Sequence, residues 1–194
     1  MRRGFQWTAG MMAAGLALAG CASADAEAPQ ADASEPGVAE SAAAGTPSPS
    51  PSEPAAPESP FAFEAETVAG GTLDGETLRG RDVILWFWAP WCPTCMVEGK
   101  EHVSEAIAEL PEGVEMVGIA GRSDDVGAME EFLEWTGTGD VTHVMDMDGA
   151  IWEAFGVLQQ PAFVFVNDDG TGTRAGAGLK AEDILERAEE LAGS

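Results

Sequence analysis

Basic residues are scarce in this chain: nine Lys and Arg stand against 34 Asp and Glu, a formal net charge of −25. Such a chain repels phosphate backbones and anionic headgroups, which argues against nucleic acid as a partner and against electrostatic docking on a bilayer. Cysteine is as sparse, with Cys21, Cys92 and Cys95 the only three. If Cys92 and Cys95 form a pair, no thiol is left for a structural disulfide, and the core must hold without staples. His102 and His143 are the only histidines, and their spacing from the cysteines is not that of a zinc finger. Met96 follows Cys95, so the Cys-x-x-Cys-His signature of haem attachment is missing. Asp146 to Gly149 and Asn167 to Gly170 lack the further ligands and closing glutamate of a calcium loop and read as turns. No resident metal or cofactor is expected.

What is present divides the chain into three parts. Residues 1–20 carry Arg2 and Arg3, then a short apolar run from Met11 to Leu18, well below the roughly 20 residues that span a bilayer, and read as an export signal. Leu18-Ala19-Gly20-Cys21 resembles the bacterial lipobox, which implies diacylglyceryl transfer to Cys21 and a lipid-anchored mature protein outside the cytoplasm. Arg2-Arg3-Gly4-Phe5 resembles the start of a twin-arginine signal without the rest of that pattern, so the export route stays open. Residues 21–60 are Ala, Ser, Pro, Glu and Asp with almost no large apolar side chain. Such a segment cannot bury enough surface to offset its ordering entropy and is expected to be a disordered tether. Residues 61–194 form the domain, with seven basic residues against 27 acidic ones, a difference of −20.

Within the domain, Phe61 to Val68 alternates imperfectly and suggests an edge strand, followed by turns at Gly70-Gly71 and Asp74-Gly75. Val83 to Trp88 is apolar on both faces, as a central strand covered by helices would be. Met96, Val97, Val103, Ala106, Ile107 and Leu110 recur at helical steps up to Pro111. A buried strand over Val114 to Ala120 follows, then a helix capped by Ser123 or Asp124 and ending at Gly137. A strand over Val141 to Met145, a helix near Ile151 to Phe155, strands over Ala162 to Val166 and Thr171 to Ala175, and a helix from Ala181 to Leu191 complete the pattern. Parallel strands with crossovers, then a closing hairpin, predict an α/β fold: a thioredoxin-like mixed sheet with helices on both faces.

Cys92-Pro93-Thr94-Cys95 follows the central strand directly, where a helix begins. Two thiols three positions apart on a first turn face the same way, close enough to join as a disulfide. Cys92, expected to be the exposed one, meets the unpaired N–H groups and positive dipole end of the helix, which favour a thiolate. Pro93 suits the first helical position because its missing N–H would have no intrahelical partner. Cys95 is the natural resolving thiol. Trp88 and Trp91 flank the pair, and their fluorescence should respond to its redox state.

Trp86-Phe87-Trp88-Ala89-Pro90-Trp91-Cys92-Pro93-Thr94-Cys95, Asp146-Met147-Asp148-Gly149, Phe155-Gly156-Val157 and Gln160-Pro161-Ala162-Phe163-Val164-Phe165 resemble the TlpA/DsbE-like branch of the thioredoxin superfamily, closest to secreted bacterial DsbE-like proteins. The resemblance covers residues 61–194 and implies thiol-disulfide exchange outside the cytoplasm. It casts Cys92 as nucleophile, Cys95 as resolving thiol and Pro161 as a cis-proline whose preceding residue, Gln160, offers its backbone to an extended substrate. Trp91, Pro93 and Thr94 join Gln160 and Pro161 as expected substrate contacts. Glu98, one turn beyond Cys95, matches an acid of this branch and is cast as its proton partner; on helical spacing alone it also reads as an ordinary exposed glutamate. Three residues depart from the pattern: Lys100 stands where a helix-kinking proline is usual, so that the bend is lost or shifts to Gly99, Ala162 replaces a threonine, and Thr94 a frequent proline.

Three functions compete on this reading. The favoured one is an oxidase of exported protein dithiols, recycled by an unidentified membrane redox partner. The second is a reductase of particular disulfides, for example in cytochrome c maturation. The third, from another class, is a non-enzymatic lipoprotein that binds other molecules or handles metal. Thioredoxin-fold copper chaperones usually place three residues between their cysteines, against two here.

Overall fold

The computed structural model describes residues 59–194. The expected signal segment, Cys21 and the expected tether up to residue 58 lie outside the described residues.

The domain is built on a five-stranded mixed sheet in the order β5-β4-β3-β6-β7. β3 (Asp82–Trp88) is central, parallel to β4 (Val114–Gly121) and antiparallel to β6 (Ala162–Val166). β5 (Thr142–Asp146) extends the parallel side, and β7 (Gly172–Ala175) pairs antiparallel with β6. Strand alternation divides β3 between two cores. Ile84, Trp86 and Trp88 face one, with Met116, Phe163 and Phe165 from the neighbouring strands. Val83, Leu85 and Phe87 face the other, with Val117, Ile119 and Val164.

Helices cover both faces. The first core receives α1 (Pro93–Glu98), α2 (Ser104–Glu109), α3 (Val126–Thr136) and α5 (Ala181–Ala192) through Cys95, Ala106, Met129, Phe132 and Ile184. The second is closed by α4 (Ala150–Ala154) through Ile151 and Trp152, with Phe61 and Leu78 from the N-terminal segment. Trp88 stacks on Phe132 at 4.1 Å between centroids, an aromatic pair adding about 0.5–1.5 kcal/mol beyond area burial.

Three sequence expectations change. Phe61 to Val68 is not an edge strand of the main sheet: β1 (Glu64–Glu66) pairs with β2 (Thr72–Asp74) in a separate hairpin, because the Gly70-Gly71 turn folds the segment back on itself. A single bridge, Thr67 to Val144, ties it to β5. The cap of α3 is Asp125, whose carboxylate accepts the Ala128 N–H at 3.0 Å, whereas Ser123 bonds the N–H of Asp125 itself. The helix predicted through Leu110 is continuous but changes to π geometry over Gly99–Val103 between α1 and α2, at the place left by the missing proline. Gly99 lets this turn close on the core, since a Cβ there would sit 3.0 Å from both Trp86 and Thr136.

Asp146, read as part of a turn, also has a definite task. Its carboxylate is buried at the end of β5 and accepts the N–H groups of Ile151 at 3.1 Å and Trp152 at 2.8 Å, satisfying free donors in the first turn of α4.

Candidate active site

β3 ends at Trp88, and Ala89-Pro90-Trp91 turns the chain so that Cys92 becomes the N-cap of α1. The Cys92 N–H donates to the Ala89 carbonyl at 3.1 Å, and the Cys92 carbonyl accepts the Met96 N–H at 3.1 Å. Pro93 occupies the first helical position, as predicted. Cys92 and Cys95 are joined as a disulfide with their Cα atoms 5.3 Å apart, and the Cys95 N–H donates to Cys92 Sγ at 3.1 Å. That donor is one of the helix's unpaired amides, so the fold supplies a hydrogen bond to the sulfur that carries negative charge once the disulfide opens.

Exposure assigns unequal parts to the two cysteines in the predicted order, but with less exposure at the first than expected. Cys92 is 5% exposed and Cys95 0%, so the first thiol is itself nearly buried. The outward surface comes from Trp91, 56% exposed, and from Pro93 and Thr94. Of the two residues only Cys92 keeps any exposed surface for an incoming sulfur to meet.

The Gln160–Pro161 peptide is cis. Phe87 of β3 pairs with Ala162 of β6, which sets Pro161 at the end of the sheet where β3 runs out toward Cys92. Gln160 is half-buried and Pro161 buried there.

Glu98 is 4% exposed, so it is not the exposed helix glutamate that spacing alone allowed. Its Oε1 accepts the Gly178 N–H at 2.8 Å, while Oε2 is buried with no hydrogen-bond partner among the described residues. Burial pushes the carboxyl above the ordinary 4.5; the Gly178 N–H, the charge of His102, the Leu179 N–H and the Trp86 indole oppose it only in part. The Trp86 Nε1 also lacks a partner of hydrogen-bonding geometry among the described residues. The buried acid beside the core is thus supplied from the helix.

Sequence reasoning missed two features near this site. Arg122, directly after β4, has left-handed backbone with φ 58° and is the only non-glycine residue with positive φ among those described. Its carbonyl accepts the Trp91 indole N–H at 3.0 Å, and its Nη2 donates to the Leu158 carbonyl at 2.9 Å. His143 lies under the site, its Nδ1 bonded to the Trp88 indole N–H at 3.1 Å and its Nε2 to the Thr138 carbonyl at 2.8 Å. Because the indole only donates, Nδ1 is the acceptor and Nε2 carries the proton. Burial lowers the imidazole pKa to about 4. Neither residue belongs to a motif; a lone Arg after a strand and a lone His inside one give no sequence signal.

A disulfide at a helix N-cap, a cis-proline at the adjacent end of the sheet and a buried acid one turn inward together define a thioredoxin-like thiol-disulfide oxidoreductase domain. Residues 55–173 match the AhpC/TSA family, and the chain belongs to it. It is 44% identical over 118 residues to the soluble secreted antigen MPT53 of Mycobacterium tuberculosis, a match covering 61% of this chain and 66% of that protein, just under two thirds of its length. Among solved structures it is similar to M. tuberculosis DsbF in its mixed oxidized and reduced forms, at 39% identity and TM-score 0.63 over 68% of this chain and 96% of that one. A secreted M. tuberculosis disulfide oxidoreductase homologous to E. coli DsbE is similar at 39% identity and TM-score 0.63, over 68% of this chain and 98% of that one.

Proposed function

We propose that the protein is an extracytoplasmic oxidase of exported protein dithiols, held at the cell membrane by lipid on Cys21. The observation that carries the exchange chemistry is the Cys92–Cys95 disulfide at the N-cap of α1, with only its first sulfur open to attack. A substrate thiolate attacks Cys92 Sγ, forming a mixed disulfide and breaking the bond to Cys95. Cys95 leaves as a thiolate and takes a proton from Glu98, whose raised pKa keeps more of it protonated than an exposed carboxylate would be. A second substrate thiolate attacks the substrate sulfur of the mixed disulfide and expels Cys92, stabilised by the Cys95 N–H and the helix terminus. Two electrons pass from substrate to protein, and an oxidising membrane partner must remove them.

Trp91, Pro93, Thr94 and the Gln160-Pro161 backbone are proposed as the substrate contacts, because the first three are the exposed neighbours of Cys92 and the cis-proline immediately precedes β6, which pairs with the end of β3. The similarity to proteins named as secreted supports a location outside the cytoplasm, and the lipobox-like Cys21 supports the anchor.

Run backwards, the same steps reduce a disulfide, so the direction is set by potential. The test is the reduction potential of the Cys92–Cys95 couple, measured beside paired assays of peptide dithiol oxidation and insulin reduction. An oxidase requires a value well above the about −270 mV of thioredoxin, and a value at or below it makes the protein a reductase. Labelling with a radioactive fatty acid, lost in Cys21→Ser, tests the anchor.

A further inference from the structure

Two exposed apolar side chains stand next to the site in the chain. Trp91, the immediate neighbour of Cys92, is 56% exposed, and Leu158, in the loop that leads to Gln160-Pro161, is 85% exposed. They come from segments 67 residues apart, and both are tied to Arg122: its carbonyl holds the Trp91 indole at 3.0 Å and its guanidinium holds the Leu158 carbonyl at 2.9 Å. The guanidinium also lies 5.0 Å from the centre of the buried Trp152 ring. That ring is itself fixed against Gly121, where any Cβ would come within 2.4 Å of Trp152 Nε1.

The backbone of Arg122 makes the double attachment possible. A φ of 58° is where glycine or asparagine is usually found, because a Cβ crowds the following carbonyl. A larger residue persists there only when its surroundings over-determine it. Here the backbone turn aims the carbonyl at Trp91, and the side chain has two partners of its own. Among the described residues no carboxylate is within ion-pair distance of the guanidinium, so its partners are a carbonyl and an aromatic face rather than a charge.

We propose that Arg122 is a positioning residue for protein substrates, fixing Trp91 and the Leu158 to Pro161 loop as the two sides of the opening through which a cysteine-bearing segment reaches Cys92. The inference rests on the exchange reaction proposed above. A small dithiol needs only the sulfurs, whereas an extended segment must meet both sides at once, so loosening one of them acts on the encounter with peptides.

The test is single-turnover oxidation of a reduced twelve-residue peptide with two cysteines, beside the same reaction with dithiothreitol, followed by tryptophan fluorescence in the full chain. Arg122→Gly keeps the backbone preference and the carbonyl while removing the guanidinium; Arg122→Lys keeps the charge without the planar fork. For Arg122→Gly, loss of the one carbonyl bond predicts a roughly five- to tenfold rise in the half-saturating peptide concentration, with a much smaller change in the limiting rate and with dithiothreitol. Arg122→Lys should recover little of this. Peptide kinetics equal to the unsubstituted chain in both variants, or equal losses with peptide and dithiothreitol, would overturn the proposal. If the unsubstituted chain oxidises neither reductant, it is the exchange reading that fails.

Discussion

Glu98 and Gly178 lie 80 residues apart in sequence, and the carboxylate of the first accepts the backbone N–H of the second at 2.8 Å. The bond joins α1 to the loop before α5 and holds the acid inside the core, one turn from Cys95. It also leaves one carboxylate oxygen without a partner among the described residues, which is why burial outweighs the bonds that favour ionisation.

The sign of the pH effect follows. Glu98 titrates above its ordinary 4.5 in the folded protein, so the stability associated with its neutral form is present below 4.5 and is lost as pH rises through the folded value. Glu98→Gln should therefore flatten the dependence of Tm on pH above 4.5 and raise Tm relative to the unsubstituted protein at pH 8. Thermal melts by circular dichroism check this. The same variant should remove a titration from the pH profile of thiol release at Cys95, and an unchanged profile would end the proton-transfer role.

His143 acts in the opposite sense. It is neutral and buried with a pKa of about 4 against an ordinary 6.5, so its contribution is full above 6.5 and is lost as pH falls toward 4. At 1.36 kcal/mol per unit, the loss over that interval is about 3 kcal/mol. Urea unfolding of His143→Gln at pH 4.5 and 7.5 should show a smaller difference than the unsubstituted protein shows.

Gly118 makes room for that imidazole. A Cβ at residue 118 would lie 1.9 Å from His143 Nδ1, and the ring is held at both nitrogens. Gly118→Ala should cost about 1–3 kcal/mol or more as overpacking displaces the ring, and Trp88 fluorescence should shift as its N–H partner moves. Denaturant titration gives the first, emission spectra the second.

The two cysteines should fail in different ways. Cys92→Ser removes the only sulfur an attacker can reach and should reduce exchange to the uncatalysed rate, whereas Cys95→Ser should accumulate mixed disulfides through Cys92. Non-reducing electrophoresis of cell envelopes reads out the adducts. Their complete absence would favour the non-enzymatic lipoprotein.

Much of the fold was legible because it rests on short-range regularities. Near-continuous apolar runs marked β3, β4 and β6 to within a residue, and Gly137 closed α3 in left-handed conformation as a C-terminal glycine does. The hairpin of β1 and β2 escaped because its strands are three residues each, too short for a pattern. Cys92 is the more exposed of the two cysteines, as expected, but at 5% it is nearly buried, since helix position says nothing about what packs over it.

By itself the sequence determined that two thiols would meet at a helix start after a central strand, because that outcome needs only neighbouring residues and the geometry of one turn. Tertiary structure alone decided that Glu98 is buried, that His143 is neutral and that Arg122 spans Trp91 and Leu158. Those facts depend on segments 31 to 80 residues apart, and a carboxylate or imidazole takes its ionisation from whatever surrounds it in space.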